Sequence, residues 1–215
     1  MKNLLKEFLS PFKRVYKQYT YIFNKGKFGY IGKNVTLRGP ISFGYLPLIY
    51  LYDNTNLLPD TNFNMTKDGG KFIMKRNSGA ASGLTVINHN HSVNPPIGIF
   101  HKEYLNAGQG NIGKDIVIDE DVWIAANVTL LVGAYIGRGA IVGAGSVVRN
   151  QIPPYSIVIG NPAKVIGFKY TPEEIIEHER ILYNEEERIP LNKLIKNYQK
   201  YYLNRIKEIH NIVKI

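Results

Sequence analysis

The chain has 215 residues, with 27 Lys and Arg against 17 Asp and Glu for a formal charge of +10, 44% hydrophobic residues and no cysteine. That length and apolar content suit one domain with attached segments and argue against global disorder. The missing thiols exclude a disulfide framework, a thiolate zinc site, an iron–sulfur cluster and a cysteine nucleophile.

Residues 1–38 hold nine of the bases and a single acid, Glu7, so the charge belongs to the start of the chain while the remainder is near neutral. No zinc-finger, RNP-type or basic-zipper pattern accompanies it, and no nucleic-acid partner is expected. Within residues 1–30, Leu5, Phe8, Leu9, Phe12, Val15, Tyr16, Tyr19, Ile22 and Phe23 form a helical stripe. Ser10-Pro11 interrupts it as an N-cap followed by proline at the first helical position. Two uses stay open: packing on the body of the protein, or a basic amphipathic face resting on a membrane. No apolar run is long enough to span a bilayer and no signal-peptide pattern is present, so the expectation is a cytoplasmic protein, with peripheral contact at the inner face of the membrane left open.

The middle of the chain has a period of six rather than 3.6 or 2. Ile112, Ile118, Ile124, Leu130, Ile136, Val142 and Val148 recur without a gap, and small or flexible residues often follow them. With about one residue in four aliphatic, such a run in a given register has a chance of about 10⁻⁴, and internal repeats of this kind define the architecture. The physical reading is a narrow solenoid: an aliphatic side chain at each sixth position fills a triangular prism, short strands form the faces, and small residues make the bends. Earlier hexads begin at Met74, Ala80 and Val86, with a fainter one from Ile31 to Leu37. Val86 to Ile112 is not a multiple of six, so a loop leaves the prism within residues 92–111, between Pro95-Pro96 and Gly110. Residues 44–66, rich in Asn, Asp, Pro and Tyr, read as a second excursion. From residue 169 the chain becomes helical to its last residue, 215, opening on the capping signature Thr171-Pro172-Glu173-Glu174. The tail's two segments, acidic then basic, would pair as antiparallel helices broken near Ile189-Pro190.

Three stretches carry a family likeness: Ile118-Asp-Glu-Asp-Val-Trp-Ile-Ala-Ala-Asn-Val-Thr, Val142-Gly-Ala-Gly-Ser-Val-Val, and Ile152-Pro-Pro-Tyr-Ser-Ile-Val-Ile-Gly-Asn-Pro-Ala-Lys-Val-Ile. Over roughly residues 70–168 the chain resembles the hexapeptide-repeat acyltransferases, most closely the maltose and galactoside O-acetyltransferase branch and the O-acetyltransferases of capsule and lipopolysaccharide sugars. The fold implied is mainly β, a left-handed parallel β-helix over residues 31–168 with an N-terminal helical segment and a C-terminal helical extension. The activity implied is direct acetyl transfer from acetyl-CoA to a hydroxyl of a sugar or glycan, in a ternary complex, with active sites between subunits of a homotrimer and no metal required.

A sugar hydroxyl is a poor nucleophile until a base near neutral pH takes its proton, and histidine suits that task. In the resembling enzymes the catalytic histidine ends the hexad before the protruding loop, which counted from Val86 is His91. His89 is the neighbour that orients substrate or takes its place, and His101 lies in the loop itself; His178 and His210 fall in the tail helices as surface groups. Trp123 corresponds to the tryptophan lining the pantetheine groove, though packing at a subunit contact would equally use it. Ala126 and Ala144 match positions whose backbone contacts pantetheine, while Arg149 and Lys164 are candidates for the CoA phosphates. Asn150 and Gly167 stand where the galactoside-type pattern has further bases, leaving Lys169 as a substitute.

Three rival readings remain. The same groove could serve a xenobiotic or nucleotide-sugar amine acetyltransferase, with acceptor contacts from residues 44–66 and 92–111. Three histidines within residues 89–101 invite a zinc site, which their spacing does not favour. A non-catalytic β-helix scaffold is the third.

Overall fold

A computed structural model describes residues 25–90, 95–106 and 112–213. The N-terminal stripe up to Asn24 lies outside them, as does His91.

Three parallel sheets wrap around one core. Face A has six strands in register: Tyr30–Ile31, Ile49–Leu51, Phe72–Met74, Ile116–Ile118, Tyr135–Ile136 and Gln151–Ile152. Face B stacks Thr36–Leu37, Asn56–Leu57, Gly79–Ala80, Trp123–Ile124, Ile141–Val142 and Ser156–Ile159, and Lys164–Phe168 closes it antiparallel. Face C stacks Ile41–Ser42, Thr61–Asn64, Thr85–Ile87, Thr129–Leu130 and Val147–Val148. This is the expected mainly-β solenoid with its C-terminal helical segment.

Hexads fill the interior. Leu51, Met74, Ile118 and Ile136 pair in register on face A, Leu57, Ala80, Ile124 and Val142 on face B, and Phe63, Val86, Leu130 and Val148 on face C, all of them buried. Leu51, Leu57 and Phe63 are six apart, so residues 49–64 form a full coil and not the second excursion expected over 44–66. The polar residues that made this stretch read as a loop are its corner residues: Asn54 and Asp60 carry φ of 58° and 63°. The left-handed region admits Asn and Asp as well as Gly.

Such residues form columns along the prism edges. At the A/B edge stand Asn34, Asn54, Asn77, Asp121, Gly139 and Tyr155, all at positive φ. Asn34 Nδ2 donates to Asn54 Oδ1 at 3.1 Å and Asn54 Nδ2 to Asn77 Oδ1 at 2.9 Å, so successive coils are tied by a side-chain ladder as well as by strand pairing. The B/C edge has a like column of left-handed corners at Asp60, Gly83, Asn127, Gly145 and Gly160. At the C/A edge the chain leaves the prism after Thr85–Ile87, where His89–Asn90 pairs antiparallel with Ile112–Gly113 as the neck of an excursion containing helix α1, His101–Asn106. The break in hexad register is therefore where it was expected.

After Phe168 come helix α2 (Pro172–Leu182), helix α3 (Leu191–Tyr201) and helix α4 (Ile206–Val213). Thr171 forms the expected capping box, its backbone N–H donating to Glu174 Oε2 at 2.8 Å and its hydroxyl accepting from the Glu174 N–H at 3.3 Å. α2 packs against α3 and docks on the A/B edge through Glu179, which is fully buried and receives bonds from Arg138 Nη1 at 3.1 Å and from the Tyr155 hydroxyl. Burial disfavours the Arg138 charge, but Glu179, Tyr183 and Glu120 together more than offset this and hold its pKa above the usual value. His178 corrects the expectation of a surface group: its ring lies edge-on to Tyr155 and against Tyr170, with Nε2 buried.

Candidate active site

At the C/A edge, the side chain of Asn88 is completely buried under the neck of the excursion. Its Nδ2 donates to the carbonyls of Gly70 at 2.7 Å and Thr66 at 3.2 Å, and its Oδ1 accepts from the Thr66 N–H at 3.1 Å. Those three bonds fix which end of the amide is oxygen, since the reverse orientation would set N–H against N–H and carbonyl against carbonyl. A Cβ on Gly69 would fall within 2.3 Å of this amide, so only glycine lets the backbone approach it so closely. Asn88 Oδ1 also lies 3.3 Å from Nδ1 of the half-buried His89. Because Oδ1 can only accept, a hydrogen bond at this contact requires the imidazole proton on Nδ1, and in that tautomer Nε2 is the basic nitrogen that a general base needs. Sequence reasoning weighed His89 but missed Asn88, whose role depends on the turn 66–70 folding under it.

Across the prism, Trp123 stands 45% exposed on face B, in register with Gly79 on one side and Ile141 on the other. A large aromatic left open on a flat face is available to a ligand or a partner surface. The adjoining B/C edge carries Ala126, half-buried, and Ala144, exposed, on successive coils joined by the Gly145 N–H donating to the Ala126 carbonyl at 2.9 Å. A Cβ at Gly145 would meet nothing within 4 Å, so this edge is open to solvent. The turn after Gly160 then leads to Lys164 at the C-terminal end of the prism.

The structure thus brings Trp123, Ala126 and Ala144 to one side, while Lys164, at the end of the prism, borders a hollow with Asn150 and Ile152. His89 sits on the C/A edge, and so does the exposed Arg149, on the corner after Val147–Val148. Face B is bounded by the A/B and B/C edges, so the C/A edge is the one farthest from it. The candidate Lys164 and the substitute Lys169 fare differently. Lys169 is turned to the A/B edge, where its Nζ lies 3.5 Å from Asp121 Oδ2. Lys164 Nζ is 3.3 Å from Glu208 of α4, a carboxylate held down to about 2 by hydrogen bonds from Arg205 and Lys164. Among the described residues no three His, Asp or Glu converge as a metal site would require, and no helix is long and apolar enough to cross a membrane.

Residues 115–150 match the bacterial transferase hexapeptide (six repeats) family. The chain is 38% identical over 112 residues to a protein of Lysinibacillus sphaericus named as a probable macrolide acetyltransferase, which covers 50% of this chain and 58% of that one. It is 39% identical over 102 residues to a protein of Escherichia coli (strain K12) named as a candidate lipopolysaccharide biosynthesis O-acetyl transferase, covering 43% and 47%. The chain therefore spans about half the length of these two curated relatives. Among solved structures, a hexapeptide-repeat acetyltransferase of Vibrio cholerae in complex with acetyl coenzyme A aligns with a TM-score of 0.62 at 24% identity, covering 73% of this chain and 84% of that one. A galactoside acetyltransferase in complex with coenzyme A aligns at 0.58 and 23% identity, covering 77% and 74%.

Fold and repeat together define the class: a hexapeptide-repeat β-solenoid similar to the hexapeptide acetyltransferases, including the galactoside and lipopolysaccharide O-acetyltransferases.

Proposed function

We propose that the protein is an acetyl-CoA-dependent O-acetyltransferase acting on a hydroxyl of a sugar or cell-surface glycan. The observation that carries this reading is the half-buried His89 imidazole with Nδ1 3.3 Å from Asn88 Oδ1, on a solenoid whose opposite side offers Trp123 and an open edge of small residues. The base takes the acceptor hydroxyl proton as the oxygen attacks the thioester carbonyl. The tetrahedral intermediate then collapses, the acetyl C–S bond breaks, and the imidazolium returns the proton to the departing thiolate. His91, two residues further along the sequence and outside the described residues, is the position the resemblance favours and stays a candidate for the base beside His89.

One prism cannot present His89 and Trp123 to a single thioester, because they lie on opposite sides. In a homotrimer the C/A edge of one subunit would face face B of the next, so each site is built from two chains. The curated relative named for lipopolysaccharide biosynthesis supports a glycan acceptor, and the one named for macrolide acetylation supports a second reading, an antibiotic hydroxyl in the same groove. Mass spectrometry of glycans and of macrolides incubated with protein and acetyl-CoA tests both. Gain of one acetyl group by a glycan supports the first reading, gain by the macrolide alone the second, and transfer to neither class would contradict the function.

A further inference from the structure

Face A runs from the C/A edge, where His89 sits, to the A/B edge. Asn88 donates to the Gly70 carbonyl at 2.7 Å, and from Gly70 the strand Phe72–Met74 carries the chain to Lys75 and Arg76 at the far border. At the rise of an extended strand the five steps from Gly70 to Lys75 cover about 17 Å. At that far border an open hollow of about 400 Å³ lies between the prism and the turn joining α2 to α3, a volume within the range of small-ligand sites.

Its walls are aromatic and polar together. Tyr30 and Tyr52 have ring centroids 4.8 Å apart at an interplanar angle of 40°, and both residues stay exposed, at 43% and 41%. The polar groups beside them are held in place by one another. Arg76 Nε lies 3.0 Å from Glu120 Oε1 and its Nη2 donates to Glu187 Oε1 at 3.4 Å; Lys75 Nζ lies 3.0 Å from Asp119 Oδ1, and Asp53 Oδ1 accepts from the Lys33 N–H at 2.8 Å. With three carboxylates and two cations interleaved, the lining favours neither an anion nor a cation. A carboxylate keeps further lone pairs and a guanidinium further N–H groups for a neutral partner rich in hydroxyls. A sugar ring matches both features: its C–H face lies on an aromatic ring, while its hydroxyls donate to carboxylates and accept from the guanidinium.

We propose that this hollow is a second glycan subsite, holding a sugar residue further along the chain whose acceptor hydroxyl lies at the His89 turn. The inference rests on the sugar O-acetyltransferase reading and deepens it: the acceptor is an oligosaccharide or polysaccharide laid across face A, and a monosaccharide fills only part of the site. Tyr30 and Tyr52 form the platform on which the remote sugar stacks, and Arg76, Glu120 and Glu187 take its hydroxyls.

The test is steady-state kinetics of the full chain with acetyl-CoA and fragments of graded length, from monosaccharide to hexasaccharide, cut from the glycan that gains acetyl in mass spectrometry. The readout is the ratio of kcat/KM for the hexasaccharide to that for the monosaccharide, each counted per sugar residue. Within one preparation this ratio does not depend on how much of the protein is folded. The wild-type ratio is expected to be about tenfold, Tyr30→Ala/Tyr52→Ala to bring it near one, and Tyr30→Phe/Tyr52→Phe, which keeps both rings, to retain most of it. A wild-type ratio near one, an unchanged ratio in the alanine variant, or a ratio as low with phenylalanine as with alanine overturns the subsite and leaves O-acetyl transfer standing. If no glycan gains acetyl, the glycan reading falls and the subsite with it.

Discussion

The Tyr155 hydroxyl donates to Glu179 Oε1 at 3.0 Å in the buried seam between the A/B edge and α2. Tyr155 is itself a corner residue at φ 58°, so the last left-handed position of that edge carries the side chain that receives the tail. Burial and the neighbouring carboxylate both push its phenol well above the ordinary tyrosine range, so the hydroxyl stays a donor at all working pH values. Glu179→Ala removes the buried carboxylate that accepts from Arg138, Tyr155 and the Ile189 N–H, leaving Arg138 only Glu120 at 3.6 Å as an acidic partner among the described residues, and is expected to cost about 3–5 kcal/mol, whereas Tyr155→Phe loses one bond, about 1.5–3 kcal/mol. Urea denaturation checks the order, and equal small losses would mean that the tail does not depend on this seam.

The coil over residues 49–64 makes a register prediction. Leu57 is fully buried between Ala80 and the start of the solenoid, whereas Leu58 is half-buried at the corner. Leu57→Ala is expected to cost about 2–5 kcal/mol and Leu58→Ala about 1 kcal/mol or less. The reverse order in thermal unfolding would place this stretch outside the prism.

Asn54 separates conformation from hydrogen bonding. Asn54→Gly keeps φ near 58° available but loses the bonds to Asn34 and Asn77; Asn54→Ala loses both. Alanine should therefore be less stable than glycine by about 1–2 kcal/mol, the left-handed penalty. Equal stabilities would show that the ladder bonds alone matter there.

Glu208 sets a pH dependence for the tail. Its folded-state value is depressed to about 2 by Arg205 and Lys164, so the attachment it makes is complete above the ordinary glutamate range and is lost as pH falls toward 2. Hydrogen exchange over residues 206–213 should accelerate between about pH 4.5 and 2 in the wild type beyond the change in Glu208→Gln, which has no carboxylate to protonate. Identical profiles would remove Glu208 from the docking of α4.

Period-six spacing made the prism legible because the inward positions from Ile118 to Val148 are all aliphatic, and the register break before Ile112 marked the excursion. The coil at Leu51-Leu57-Phe63 was obscured because Leu46, Leu48 and Leu58 add apolar positions out of step, and because its corners use Asn and Asp rather than Gly. The Asn88-His89 turn was visible as chemistry, but the orientation of the imidazole was not, since it depends on carbonyls from residues 66 and 70 folding beneath it. Glu179 and Arg138 are 41 residues apart, as are Lys164 and Arg205, and no local pattern links charges at that range.

The central claim is a site shared between the C/A edge of one subunit and face B of the next. Two inactive forms test it, one lacking both candidate bases (His89→Ala/His91→Ala) and one lacking the face-B aromatic (Trp123→Ala). The chain has no cysteine, so free CoA thiol can be titrated without background while acetyl-CoA, kept below saturation, is consumed with the acetylated acceptor. If sites are shared, co-assembled equimolar mixtures regain about a quarter of the wild-type rate, because random assembly gives a quarter of sites both intact halves. A mixture no more active than the average of the two variants would contradict the account.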